Sequence, residues 1–241
     1  MDLVIVSGHS SGFGAAFWQQ AQALGWARLG ISRREVAVSE PWTLSVQIDL
    51  ASMLEWELQL DQALEAWGEV TWSRIFLVTS AAQLGPVATA EACSASELLK
   101  AYQLNVLAPL RLMAWAERRW PKTPLKIATL SSGAATKAYR GWLAYCGTKA
   151  ALRASTQVFA AEAEAKGLNR RYLSYAPGVL DTPMQAEVRS SDPEVFPDRP
   201  RFLALSAQQK LVSPEASARA LWQLLLSDQA AAFTEQRYED A

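Results

Sequence analysis

Histidine and cysteine are almost absent from this 241-residue sequence, which contains one histidine (His9) and two cysteines (Cys93 and Cys146). These residues form no spaced cluster, which argues against a zinc site, and we predict no metal. Free thiols are typical of a reducing compartment, so we expect a cytoplasmic protein.

An excess of charge of one sign is missing as well, since the formal net charge is −1. Without a basic excess, neither nucleic acid nor anionic lipid is a predicted partner. The apolar run at residues 3–6 is too short for a signal peptide and lacks a preceding basic region. No run approaches 18 apolar residues, so we predict no transmembrane helix and no membrane partner.

Strand and helix patterns alternate along the chain. Short apolar runs predict strands at residues 3–7, 27–32, 45–49, 74–79, 125–130, 171–176 and 231–239. Helical spacing predicts helices at 13–24, 52–67, 94–120, 141–166 and 214–227. This alternation is the pattern of an α/β fold: one doubly wound domain over 1–241 with a parallel sheet of about seven strands. Such sheets bind ligands at the carboxyl ends of their strands.

Residues 181–212 break this alternation. Four prolines interrupt any long element there, at positions 183, 193, 197 and 200, with apolar residues between them. We interpret the segment as a substrate lid that carries short helices.

A glycine-rich segment joins the first strand to the first helix. Glycines allow a backbone to approach a pyrophosphate, and a helix N-terminus offers free N–H groups and a positive dipole end. The predicted contacts of a dinucleotide are Gly8, Ser10, Ser11, Gly12, Phe13 and Gly14. The spacing is G-x-x-x-G-x-G, and a plain strand-to-helix turn is the alternative.

The end of the second strand bears on the choice of cofactor. An NAD enzyme would place Asp or Glu there, whereas this chain has Ser32, Arg33 and Arg34. Arginine suits a 2′-phosphate, so we predict NADP(H) held by Arg33, although both arginines fit a solvated surface too. Asp49, at the end of the third strand, and Leu50 are predicted at the adenine, with a turn-forming Asp as the alternative.

Tyr145 and Lys149 are separated by four residues in a predicted helix and therefore share a face. An ammonium near a phenol favours the phenolate, so we expect Lys149 to lower the pKa of Tyr145 and make it a proton donor and acceptor near neutrality. Ser132 lies where the fifth strand ends and could donate to the same oxygen. The spacing alone is a weak motif.

Together, the glycine-rich loop, Ser132 and Tyr145-x-x-x-Lys149 resemble the short-chain dehydrogenase/reductase family over essentially the whole chain. The segments 141–149 (GWLAYCGTK) and 176–185 (APGVLDTPMQ) resemble its sepiapterin reductase and benzil reductase branch. The resemblance implies that Tyr145 is the general acid, that Lys149 lowers its pKa and binds the nicotinamide ribose, and that Ser132, rather than Ser131, holds the substrate oxygen.

The resemblance also implies contacts around the nicotinamide half of the cofactor. Pro177, Gly178, Val179 and Thr182 match the family segment that follows the sixth strand. Ala81 and Ala82 fall where the family usually has Asn-Asn-Ala-Gly after the fourth strand, so an asparagine side chain is lost there while the backbone role can survive.

Asn105 matches the fourth member of the family's catalytic tetrad. Pro109 lacks an N–H, so in an α-helix the carbonyl of Asn105 would lose its partner and could hold a water that leads protons toward Lys149. An ordinary polar residue near a kink is the alternative.

We therefore predict an NADPH-dependent reductase of a small ketone, diketone or pterin-like carbonyl. The expected apolar wall of its substrate site comprises Tyr139, Trp142, Leu180, Met184, Phe196 and Phe202. Two alternatives stay open: an NAD-dependent alcohol or sugar dehydrogenase, and a non-catalytic dinucleotide-sensing protein. Whether Glu239 or Asp240 contacts substrate is open as well. By resemblance we expect a homodimer or homotetramer that packs helices 95–120 and 147–165 across a two-fold axis.

Overall fold

The structure of the protein is a computed structural model that describes residues 1–52, 56–227 and 231–238. Its strands are β1 (Leu3–Ser7), β2 (Ala27–Ser32), β3 (Thr43–Gln47), β4 (Ile75–Thr79), β5 (Leu125–Leu130), β6 (Arg170–Ala176) and β7 (Phe233–Arg237). Its helices are α1 (Gly12–Gln22), α2 (Trp56–Leu64), α3 (Ala95–Tyr102), α4 (Ala108–Arg119), α5 (Leu143–Ala165), α6 (Pro183–Ser190), α7 (Arg199–Ala207) and α8 (Pro214–Leu226).

All seven strands lie in one parallel sheet in the order β3-β2-β1-β4-β5-β6-β7. The chain changes direction across the sheet between β1 and β4, which opens a crevice at the carboxyl ends of these strands. The predicted doubly wound α/β fold is therefore confirmed.

Hydrophobic residues bury both faces of this sheet. In β1, Leu3 and Ile5 belong to the core on one face, whereas Val4 and Val6 belong to the core on the other. Such strands read as continuous apolar runs rather than as alternating patterns. The crevice lies where these buried strands end.

Two differences from the predicted elements affect candidate site residues. Strand β3 ends at Gln47, so Asp49 lies two residues beyond the strand rather than at its end. The single helix predicted over 94–120 is α3 and α4, joined by a π-helical turn at Gln103–Leu107. Its start was predicted correctly, because the Ser94 hydroxyl accepts from the backbone N–H of Glu97 in a capping box.

The predicted lid contains α6 and α7, and hydrogen bonds join its two ends. The N–H of Asp181 donates to the Val212 carbonyl at 2.9 Å, and the N–H of Val212 donates to the Val179 carbonyl at 2.9 Å. These bonds fix the base of the segment beside the end of β6. Its action as a lid stays a prediction.

The helices expected to pack between subunits expose apolar side chains. Leu99 on α3 and Val158 on α5 are each 57% exposed, and Tyr102 at the end of α3 and Leu107 before α4 are exposed as well. This surface is compatible with the expected two-fold packing, which stays a prediction. In the described part of the chain, no helix is both long enough and apolar enough to cross a membrane.

Candidate active site

The loop after β1 packs so closely that two of its glycines have no room for a side chain. A Cβ on Gly14 would lie 2.3 Å from the Gly8 carbonyl oxygen. Gly8 has a φ of +76°, and its Cβ would lie 2.9 Å from the backbone of Ala81. Loop backbone therefore lies at the N-terminus of α1 without side chains in the way, as a bound pyrophosphate requires.

Two serines, neither predicted from the sequence as a site residue, join this loop to the loop after β4. The Ser7 hydroxyl accepts from the N–H groups of Ser80 and Ala81 at 3.1 and 3.2 Å. In return, the Ser80 hydroxyl donates to the Ser7 carbonyl at 2.5 Å. These bonds hold Ala81 and the adjoining Ala82 at the crevice without the family's asparagine. The register Ser7↔Thr79 places both serines at one edge of the sheet, and only the strand pairing reveals it.

Arg34, rather than Arg33, reaches the glycine-rich loop. Its guanidinium donates to the Ser10 hydroxyl from Nε at 3.3 Å and from Nη2 at 3.2 Å. Arg33 is exposed, and its contact is a backbone one, since its carbonyl accepts from Gln47 at 3.0 Å. The Ser32 hydroxyl donates to the Arg34 carbonyl at 2.6 Å and so shapes the turn that brings Arg34 forward.

The residues predicted at the adenine occupy a turn and the core. Asp49 is exposed, and its Oδ1 accepts from the N–H of Ala51 at 3.0 Å. This bond is the one expected of a turn-forming Asp, the alternative given for this residue. Leu50 is 4% exposed and belongs to the hydrophobic core. Contact of either residue with a cofactor stays a prediction.

Ser132, Tyr145 and Lys149 meet at the end of β5. Ser132 begins a short 3₁₀ turn, where its hydroxyl accepts from the N–H of Ala134 at 3.2 Å, and it lies near enough to Tyr145 to lower the pKa of that phenol in part. The buried Lys149 donates from Nζ to the Leu130 carbonyl at 2.7 Å and lies 5.6 Å from the centroid of the Tyr145 ring. The helical spacing therefore does place the phenol and the ammonium on one face.

The expected lowering of the Tyr145 pKa is wrong for this structure. Burial raises the pKa of Tyr145 above its ordinary value, because the phenolate is poorly solvated, and the hydrogen bond from Ser132 offsets only part of this. Burial also lowers the pKa of Lys149 to about 8. Both groups are thus shifted toward their neutral forms.

Asn105 uses its side chain to join two segments. The side chain is almost fully buried: Oδ1 accepts from the N–H of Gln83 at 2.9 Å, and Nδ2 donates to the Gln83 carbonyl at 2.8 Å and to Thr148 at 3.1 Å. It therefore holds the loop after β4 against α5, a role that the sequence analysis missed.

The reason given for a free Asn105 carbonyl needs correction. The N–H of Ala108 donates to the carbonyl of Gln103, five residues back, so the register here is π rather than α. The loss of a partner for the Asn105 carbonyl was derived for an unbroken α-helix, which this segment is not. The water-holding role of the Asn105 carbonyl stays a prediction without that support.

The segment after β6 faces the glycine-rich loop. A Cβ on Gly12 would lie 3.3 Å from Cγ2 of Thr182, so this threonine borders the start of α1. The Pro177 carbonyl accepts from the Ser217 hydroxyl at 2.9 Å, and Gly178 has a φ of +82°. Pro177, Gly178, Val179 and Thr182 all line one cavity.

This cavity has a volume of about 440 Å³, and Ser132 and Tyr145 lie in its wall. Five of the residues predicted for the apolar wall line it, namely Tyr139, Trp142, Leu180, Met184 and Phe202. Phe196 does not; it is fully buried and stacks behind Trp142 at 4.5 Å, so it supports the wall. The predicted wall included no charged residue, yet Lys137, Arg201 and Arg237 also line the cavity. Glu239 and Asp240 lie outside the described residues.

Comparison with known proteins places this geometry in a family. Residues 2–193 match the family model described as short chain dehydrogenase. The chain is 36% identical to benzil reductase ((S)-benzoin forming) of Bacillus subtilis over 227 residues, which cover 93% of each chain. It is 30% identical to the sepiapterin reductase of Rattus norvegicus over 248 residues, covering 93% of this chain and 91% of the relative.

Solved structures share the fold. The crystal structure of a short-chain dehydrogenase/reductase from Saccharomyces cerevisiae superposes with a TM-score of 0.83 at 22% sequence identity, covering 100% of this chain and 97% of the other. The family model matches residues 2–193, and the two reductases align along most of the chain. Both findings agree with the parallel sheet and the glycine-rich loop. The chain therefore belongs to the short-chain dehydrogenase family, and to its benzil reductase and sepiapterin reductase-like branch.

Proposed function

We propose that this protein is an NADPH-dependent reductase that transfers a hydride to a small ketone, diketone or pterin-like carbonyl. The observation that carries the proposal is that Ser132, Tyr145 and Lys149 meet at the end of β5, where Ser132 and Tyr145 line a cavity that the segment after β6 also lines. The benzil reductase and sepiapterin reductase names of its relatives support a carbonyl as the acceptor.

The residues present fit a nicotinamide dinucleotide, the cofactor of this family. The glycine-rich loop, from Gly8 to Gly14, would hold the pyrophosphate, with Ser10 and Ser11 as hydroxyl donors. Arg34 and Arg33 would bind the 2′-phosphate, and Pro177, Gly178, Val179 and Thr182 would border the nicotinamide. When bound, the reduced cofactor supplies the hydride.

Tyr145 is the proposed general acid. Because burial raises its pKa, the phenol stays protonated at neutral pH and can donate a proton to a carbonyl oxygen in the cavity. Ser132, which lines the cavity beside this phenol, would orient the same carbonyl oxygen. Below pH 8, Lys149 carries a positive charge that stabilises the phenolate left behind. A water on the Asn105 carbonyl would then lead a proton toward Lys149 and so back to the phenolate.

The lid and the aromatic wall suit a flat substrate. Trp142 lies between Phe196 and the cavity, and Phe202 of α7 packs 5.6 Å from its ring. Helices α6 and α7 thereby contribute apolar surface on the side away from the end of β5. An aromatic ketone or 1,2-diketone would fill this space.

Cofactor oxidation over a panel of carbonyls tests the proposed function. We expect oxidation of NADPH, followed at 340 nm, with benzil-type diketones or pterins, and markedly less with NADH. Tight NADPH binding without turnover of any carbonyl would instead identify a dinucleotide-sensing protein. Preferred oxidation of alcohols with NAD would identify a dehydrogenase.

Arg34→Ala is expected to reduce NADPH affinity by about tenfold to a hundredfold while changing NADH affinity little, because a charge-assisted hydrogen bond contributes about 1.5–3 kcal/mol. Fluorescence titration with each cofactor measures the ratio of the two affinities. Arg33→Ala is the matched comparison, and we expect a smaller effect because only Arg34 reaches Ser10. An unchanged ratio in both variants would contradict recognition of the 2′-phosphate at this turn.

A further inference from the structure

Three cationic side chains line the cavity beside its apolar wall, and the reduction of a neutral ketone uses none of them. Lys137 comes from the loop after β5, Arg201 from α7 and Arg237 from the end of β7. Three distant parts of the sequence thus bring positive charge to one place.

The cations gather around Gly133, the residue that follows Ser132. The point where a Cβ of Gly133 would stand lies 3.5 Å from Nη2 of Arg237 and 4.0 Å from the Tyr139 hydroxyl. That hydroxyl accepts from Nη1 of Arg201 at 3.3 Å, and Nζ of Lys137 lies 4.6 Å from the centroid of the Tyr139 ring. We call Lys137, Arg201 and Arg237 the basic cluster.

No acidic side chain is paired with the basic cluster within the described residues. Among those that line the cavity, none is Asp or Glu, and none of the three cations forms an ion pair there. The neighbouring cavity offers a contrast, because Arg153 forms a bidentate ion pair with Glu235, two residues before Arg237. Arg237 lines both cavities, yet the Glu235 carboxylate is paired with Arg153, so Arg237 forms no ion pair within the described residues.

Unbalanced cations beside an apolar wall favour an anionic ligand. Three like charges converging on one site repel one another, and a bound anion relieves that repulsion while accepting charge-assisted hydrogen bonds. The position next to Ser132 places such an anion within one small molecule of the carbonyl that Ser132 and Tyr145 would hold.

We propose that the substrate is a keto acid, in which the basic cluster binds the carboxylate and the apolar wall holds an aromatic or aliphatic body. This inference rests on the proposed reductase function. The carbonyl carbon accepts a hydride and its oxygen accepts the Tyr145 proton, so a ketone, NADPH and one proton give a hydroxy acid and NADP⁺. Arg237 and Arg201 are the specificity-determining residues for the carboxylate.

A series of keto acids paired with their methyl esters tests the proposal. Phenylglyoxylate, 3-oxo-3-phenylpropanoate and 4-oxo-4-phenylbutanoate vary the distance between ketone and carboxylate, and each ester keeps the shape without the charge. For at least one pair we expect kcat/KM of the acid to exceed that of the ester by about tenfold or more. Added salt should raise KM for that acid more than for its ester.

Substitution of the basic cluster provides the second measurement. Arg237→Met and Arg201→Met should each lower the acid-to-ester ratio of kcat/KM by about tenfold. Arg140→Met is the matched control, because Arg140 is an exposed arginine of the loop that carries Lys137 and does not line the cavity. The acid-to-ester ratio of kcat/KM in this variant should equal that of the wild type.

Turnover of esters and neutral diketones with no preference for any acid would overturn the keto acid while leaving the reductase function intact. An equal loss on acid and ester together with weaker NADPH binding in Arg237→Met would assign the cation to the cofactor and overturn the proposal as well. If no carbonyl of any kind is turned over, the proposed function fails and this inference fails with it.

Discussion

Tyr145→Phe is expected to lower kcat for ketone reduction by about 10²–10⁴-fold, the usual contribution of a general acid. The substitution removes one oxygen and keeps the ring, which packs against Trp142 at 5.4 Å. The apolar wall should therefore survive, and NADPH affinity should stay within about twofold of the wild type. Single-turnover reduction at saturating NADPH separates the chemical step from binding.

The matched comparison for this loss is Tyr139→Phe. Tyr139 lines the same cavity and also carries a hydroxyl, but that hydroxyl contacts Arg201 rather than Ser132. Its removal should cost about tenfold at most in kcat for a neutral diketone. If Tyr145→Phe keeps a tenth or more of the wild-type kcat, or if Tyr139→Phe loses the larger factor, the proton donor is assigned to the wrong tyrosine.

A raised pKa suits a group that must hold its proton before it gives it away. In the structure, burial disfavours the phenolate of Tyr145 more than the hydrogen bond with Ser132 favours it. The sequence argument considered only the nearby ammonium, because helical spacing reveals a neighbour but not the burial of both groups. Solvent exclusion depends on how the whole chain folds around the end of β5, so spacing could not predict the direction.

The fold was predictable because its strands are buried on both faces. Apolar runs marked β1 and β5, and a weaker pattern marked β2, all with the same bounds that the structure has. Strand β3, an edge strand whose residues are mostly half-buried, was displaced by two residues because its pattern is weaker. The π turn at Gln103–Leu107 was missed because Pro109 was considered only in an α-helical register.

The candidate site divides in the same way into local and distant parts. Tyr145 and Lys149 lie on one helix, and Gly8 to Gly14 form one loop, so local patterns revealed them. In contrast, the bonds between Ser7 and Ser80 and the approach of Arg237 to Gly133 join residues about 70 to 100 positions apart. The pairing of parallel strands brings these residues together, and no short segment of the sequence contains that information.

Lys149 is expected to impose an alkaline limit on the reduction. Burial lowers its pKa to about 8, so its charge, which stabilises the phenolate formed when Tyr145 gives up its proton, is lost as the pH rises through about 8. The rate of the chemical step should be flat below that value and fall above it. Lys149→Met should lower kcat by about 10²-fold or more and abolish this limb of the pH profile, because the side chain no longer titrates.

The same burial means that the charged Lys149 lowers the free energy of unfolding at neutral pH. Its pKa is about 8 in the folded protein against 10.5 in the unfolded chain, so the folded state binds the proton less tightly. The stability contribution of this group is therefore lowest below pH 8 and rises as the pH increases from about 8 to 10.5, by up to about 3 kcal/mol. Urea unfolding of the wild type and of Lys149→Met across this range measures the difference, which should shrink as the pH rises because the buried charge disappears from the wild type. Lys149→Met could instead be inactive, no more stable than the wild type at pH 7, and unchanged in the pH dependence of its unfolding. That result would show that Lys149 is not the titrating group. The alkaline limit of the reduction would then need another origin.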